Sequence, residues 1–155
     1  MKRHQACVRA AGTMAPLESF QSRSFRFSLE ILRLYRRIVA LAPVPQHILN
    51  QFLRAGTAIG SNLEEAKAAH SKRDLAAKQV IALREARECR YWLRLVLADQ
   101  PKLAPEVEPL LDESDQIIAI LTVSVRKLRA TFAVQVTGAV LAVVLAARVI
   151  FHGAF

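Results

Sequence analysis

Four times along this chain, apolar residues recur at alternating spacings of three and four. That spacing is the signature of one buried helical face, and it admits few folds other than packed helices. The first stripe is Phe27, Ile31, Leu34, Ile38 and Leu41, within a segment running from about Ser24 to Ala42. Pro43-Val44-Pro45 ends that segment, because proline disfavours helical geometry in the residue before it and lacks an amide donor. The second stripe, Ile48, Phe52, Ala55, Ile59, Leu63 and Ala66, lies in a segment from Gln46 to His70. The third runs from Ser71 to about Asp99 with Leu75, Ala82, Ala86, Cys89, Leu93 and Val96 inward. Its Ser71-Lys72-Arg73-Asp74 start reads as a variant capping box. After a break at Pro101, Pro105 and Pro109, a fourth helix is expected from Glu106 to at least Arg129. Its inner face is Val107, Leu110, Ser114, Ile117, Leu121, Val125 and Leu128.

Helices of similar length joined by short loops pack most simply as an antiparallel, up-down-up-down four-helix bundle. The expected fold class is therefore all-α, with an extra apolar C-terminal helical tail. Three regions follow: a flexible basic arm over 1–23, the bundle over 24–129 and the tail over 130–155. A chain of 155 residues, 53% of them apolar, can bury a core of this kind.

Gly56 and Gly60 stand four apart inside the second helix, where each costs about 1 kcal/mol against alanine. They share a face, so another helix can approach closely there, either within the bundle or from a second subunit. No strand precedes them and no Gly-Lys-Ser/Thr follows, so they do not form a phosphate loop. Arg54, beside Gly56, is a candidate for a subunit contact.

The chain carries 22 basic and 13 acidic side chains, a net charge of +9, and its pI is near 10.4. An anionic partner, nucleic acid above all, is the expectation. The densest charge lies in "ALREARECRYWLRLV". Arg84, Arg87, Arg90 and Arg94 are the first nucleic-acid-binding candidates, with Lys72, Arg73 and Lys78 next. Arg84 and Glu88 are spaced as an i,i+4 ion pair, while Arg90 and Arg94 repel unless an anion lies beside them. Tyr91 and Trp92 are read two ways: as stacking surfaces for bases, or as anchors in the core or at a subunit contact.

No catalytic or metal-binding constellation emerges, and no cofactor is expected. The Glu-x-x-His pairs of di-iron bundles are absent, as are His-Glu-x-x-His and Gly-x-Ser-x-Gly. The acids come as Glu64/Glu65 and Glu85/Glu88 among Lys67, Arg84 and Arg87, the pattern of surface ion pairs or interhelical hydrogen bonds. Cys7 and Cys89 supply neither a disulfide framework nor zinc spacing, which suits a reducing cytosol. The N-terminal residues lack the apolar core of a secretory signal, and Met14 is an alternative start.

From Ala130 to Ala147 there are 18 residues without a charge, between Arg126, Lys127 and Arg129 on one side and Arg148 on the other. That stretch is long enough for a membrane span, with the bundle on the cytoplasmic side. It also reads as a continuation of the fourth helix, or as a helix packing on a partner.

"SFRFSLEILRLYRRI", "NQFLRAGTAIGSNLEEAKAAHSKRDLAAKQVIALREARECRYWLRLV" and "DESDQIIAILTVSVRKLR" together resemble the bacterial four-helix-bundle proteins of the 23S rRNA intervening-sequence family. The resemblance covers about residues 24–129. It is most specific at the glycine pair, Asn62, Glu65, Ala66, Ser71, Asp74, Ala82, Glu85, Ala86, Tyr91, Trp92 and Leu93. The family is similar to the accessory variability protein of diversity-generating retroelements, a basic homopentamer that works with a reverse transcriptase and nucleic acid. The resemblance implies a homo-oligomer, with a pentamer as its precedent and no enzymatic activity of its own. Gly56, Gly60, Asn62, Tyr91 and Trp92, with Arg54 from its place beside Gly56, are the helix-packing or subunit-contact candidates. The function expected is nucleic-acid binding through a basic surface; the alternative is a protein-interaction scaffold, soluble or tethered by the tail. The matching compartment is the cytoplasm, or the cytoplasmic face of the inner membrane.

Overall fold

A computed structural model describes residues 18–41 and 43–152, with side chains described through residue 132. It is an all-α four-helix bundle: α1 Phe20–Leu41, α2 Gln46–Lys67, α3 Lys72–Asp99 and α4 Ala104–His152. A single 3₁₀ turn, Pro101–Leu103, leads into α4. Cross-helix contacts run in opposite directions along each consecutive pair. On α1 and α2, Tyr35 meets Gln46 and Ser28 meets Gly56. On α2 and α3, Arg54 meets Glu88 and Glu65 meets Lys78. On α3 and α4, Arg90 meets Asp115 and Gln79 meets Ser124. Of the neighbouring helix pairs, α1 and α4 pack against each other least.

α1 begins four residues before the expected Ser24, so residues 20–23 belong to the bundle rather than to an arm. Ser19 starts it: its hydroxyl accepts from the Ser22 amide at 3.1 Å, satisfying one of the unpaired amides of the first turn. The arm itself, up to residue 17, lies outside the described residues. Ser71 caps α3 as its spacing predicts, accepting from the Asp74 amide at 3.1 Å. The Asp74 carboxylate returns to the His70 amide, one residue earlier than a standard capping box would reach.

α4 starts at Ala104, two residues before the expected Glu106. Pro105 fits its first turn, where the amide has no helical partner anyway. Pro109 lies inside the helix and is exposed, and its missing amide leaves the Pro105 carbonyl without its usual helical donor. The helix then continues to His152 without a break at Arg129, so the tail is an extension of α4. The membrane reading of 130–147 falls mainly on side chains outside the described residues. Among the described residues, no helix is long and apolar enough to cross a membrane.

Phe27, Ile31, Ile38, Phe52, Ile59, Leu93, Ile117 and Leu121 are the buried centre. The expected stripes fail near the ends of α1, α2 and α3, and at Leu128 within α4. Leu41 is 67% exposed, and Leu49 rather than Ile48 turns inward on α2. Leu75 and Leu128 are half-buried, while Ala76 is buried. A straight helix drifts by about 20° per heptad against a strict repeat, so a stripe centred mid-helix rotates off the core towards its ends.

Candidate nucleic-acid interface

The glycine pair serves the bundle itself. A Cβ at Gly56 would lie 2.6 Å from Cγ2 of Ile31, so only a residue without one lets α1 settle against α2. Ser28 uses the closeness: its hydroxyl donates to the Gly56 carbonyl at 3.2 Å and shares its proton with the Ser24 carbonyl. Gly60 is looser. Its Cβ would meet the Ser28 hydroxyl at 2.8 Å, and it borders an open α1–α2 groove with Ser22, Phe25, Thr57 and Ser61.

The other packing candidates differ in what they touch within the chain. Arg54 reaches across to α3, holding Glu88 at 2.5 Å and Glu85 at 3.4 Å. It is thus an α2–α3 link, the helix-packing half of its expected role. The Glu88 hydrogen bond is the largest cause of the raised Arg54 pKa. Glu88 also accepts from the Trp92 indole at 3.3 Å, so the expected Arg84–Glu88 pair gives way to contacts from another helix. Asn62 donates to the Ala58 carbonyl of its own helix at 2.8 Å and bridges nothing. Trp92 packs against the core, while Tyr91 is exposed and meets it edge-on at 5.0 Å.

Burial pushes the Cys89 thiol well above its ordinary value, which makes it a small apolar filler rather than a nucleophile. Among the described residues, no group of three or more histidines, cysteines or carboxylates is arranged to hold a metal.

The seven basic candidates divide. Arg90 is diverted to Asp115 on α4 at 2.5 Å, and Lys78 is paired with Glu65 on α2. The charge of each is therefore largely answered within the chain. Lys72, Arg73 and Arg94 are exposed, and no carboxylate of the described residues pairs with them. Arg84 and Arg87 lie in a different setting. With Val80 and Leu83 they line one wall of an open groove of about 410 Å³, whose other wall is Thr122, Val125, Arg126 and Arg129 on α4.

Each wall carries the same spacing, residues n, n+3, n+4 and n+7, which is one helical face. Leu83 and Val125 form a buried floor; all four arginines are exposed. The described residues include all 13 acidic side chains of the chain, and none pairs with Arg84, Arg87, Arg126 or Arg129. Arg126 and Arg129 are the residues that sequence reading missed, because they stand out there only as flanks of the apolar tail. Their repeat of the Arg84-x-x-Arg87 spacing on the next antiparallel helix is the signal that finds them.

The sequence profile of the 23S rRNA-intervening sequence protein family matches residues 19–123, from the capping Ser19 of α1 into the α4 wall of the groove. The chain belongs to that family. A solved structure of a protein of unknown function from the S23 ribosomal protein family of Bacteroides thetaiotaomicron is similar, with 32% sequence identity and a TM-score of 0.64. The similarity covers 68% of this chain and 96% of that one. No curated protein matches the chain. The family match ends within the groove's α4 wall, so Thr122 lies inside it and Arg126 and Arg129 lie beyond.

Proposed function

We propose that this intervening-sequence family protein is a non-enzymatic homo-oligomer that binds RNA or DNA through the basic surface of α3 and α4. One observation carries the reading: four exposed arginines share a groove that no acidic side chain of the chain neutralises. Like charges set three apart on a helix are mutually unfavourable, and a bound anion reverses the sign of that interaction. Phosphate groups suit arginine's planar fork. Lys72, Arg73 and Arg94 extend the positive field without partners of their own. Repetition of the groove in an oligomer, a pentamer on the precedent of the retroelement relative, would multiply a modest single-site affinity. Phe25, Val39 and Tyr91, each more than half exposed, are candidates for the contacts between copies.

Titration of fluorescent RNA and DNA at two salt concentrations tests the reading, with solution mass measured in parallel. Binding that weakens steeply with salt is expected. Absence of binding at low salt overturns it. Those same exposed apolar side chains favour the second reading, an interaction scaffold. A single protein partner that survives nuclease treatment in a pull-down selects that one.

A further inference from the structure

The two arginine pairs are not side by side. The hydrogen bond between Ser124 and Gln79, 2.6 Å long, sets the register of α4 against α3. Arg84 and Arg87 follow Gln79 along α3, and Arg126 and Arg129 follow Ser124 along α4. Because the helices run oppositely, the two pairs depart from that hydrogen bond in opposite directions. At 1.5 Å per residue their centres are roughly 15 Å apart along the groove, and Arg87 to Arg129 spans roughly 20 Å. Between them lies the apolar floor of Leu83 and Val125, flanked by Val80 and Thr122.

From this layout we infer that the groove is a track for one single strand of nucleic acid, held at its two ends by phosphates several nucleotides apart. The inference rests on the nucleic-acid reading above and specifies its ligand. A lone phosphate or a small anion fills one arginine pair and leaves the other unanswered. A polyanion with charges repeated along its length answers both. Adjacent packed helices lie about 8–10 Å apart, so the furrow between them admits a single backbone, whereas a double helix touches only its rims. No aromatic ring lines the groove, so base stacking contributes little and binding tolerates any base. The unstacked bases of a single strand can rest on Leu83 and Val125; paired bases cannot.

The test uses the full chain, an oligothymidylate of about 30 nucleotides and a duplex of about 15 base pairs, which carries a similar phosphate count. Affinity for single strands falls with salt by a slope of about −0.7 per phosphate neutralised. Four contacts therefore predict a loss of roughly 50-fold between 50 and 200 mM salt, and an Arg126→Gln/Arg129→Gln variant a loss of only about 7-fold. The single strand is expected to bind more tightly than the duplex, and inorganic phosphate to compete poorly. Tighter duplex binding, or an unchanged salt slope in the variant while Lys72→Gln/Arg73→Gln lowers it, overturns the track and leaves the nucleic-acid reading standing. No binding of either probe at low salt removes both. Circular dichroism on each variant shows that it remains folded, which these exposed positions lead us to expect.

Discussion

Where α1 meets α2, a bare backbone lies against a buried isoleucine; where α3 meets α4, arginines line a furrow open to solvent. The first seam removes side chains so that helices close. Ile31 rests on Gly56, and Ser28 fastens the two backbones. The second seam keeps its apolar floor, Leu83 and Val125, but surrounds it with cations that no carboxylate of the described residues answers. Elsewhere the bundle does pair its charges across helices, as Arg54 does with Glu88, Arg23 with Glu113 and Arg37 with Glu106. What sets the second seam apart is that four arginines without a carboxylate partner gather in one groove, which separates a surface left available from one that holds the fold.

If that contrast is right, the closed seam is sensitive to volume. Gly56→Ala gives the largest loss of stability among the changes considered. Overpacking costs about 1–3 kcal/mol, and the gain in helix propensity returns about 1 kcal/mol at most. A net loss of about 1–2 kcal/mol is expected in urea unfolding. A variant as stable as the parent would mean that α1 and α2 do not depend on contact at that point.

Glu113→Gln comes next. Arg23 grips Glu113 through Nε at 2.5 Å and Nη2 at 2.8 Å, and that hydrogen-bonded pairing holds the Glu113 carboxyl below its usual range. A depressed carboxylate contributes stability that is full above the ordinary glutamate range and is lost as pH falls through its native value. The variant should therefore lose about 1 kcal/mol at neutral pH, and the gap should narrow as acid protonates the parent. A gap that widens on acidification would contradict the pairing.

Gly60→Ala should change stability least, by about 0.5 kcal/mol or less in either direction. Here the new methyl meets the Ser28 hydroxyl, which can swing aside, and the gain in helix propensity offsets the hydrogen bond to the Gly56 carbonyl that it then gives up. A loss matching that at Gly56 would show both glycines to be equally tight, and the gradation along the seam would be wrong.

Most of this architecture is legible in the amino-acid pattern, because a helix's buried face is a local property. Phe27, Ile31, Leu34 and Ile38 on α1 can be read from spacing alone, as can the Ser71 cap. The departures at Leu41, Ile48 and Leu75 lie near helix ends, where stripe and core drift apart. The interface is far less legible. Which acid answers which arginine depends on the register between helices, and no local spacing contains that register. Glu88 is four residues from Arg84 yet bonds Arg54, 34 positions away. Arg90 belongs by sequence to a strip with Arg87 and Arg94, but Asp115 takes it. Arg126 and Arg129 join Arg84 and Arg87 only once α3 and α4 are laid against each other.

The most direct trial joins binding and stability in one variant, Arg84→Gln/Arg87→Gln/Arg126→Gln/Arg129→Gln. Thermal unfolding and a low-salt titration with single-stranded nucleic acid would be measured on the same sample. The prediction is an unfolding temperature equal to or slightly above the parent's, since repulsion is relieved, together with loss of most of the binding. Undiminished affinity, or a bundle that melts well below the parent, would contradict the assignment of this seam to a ligand rather than to the fold.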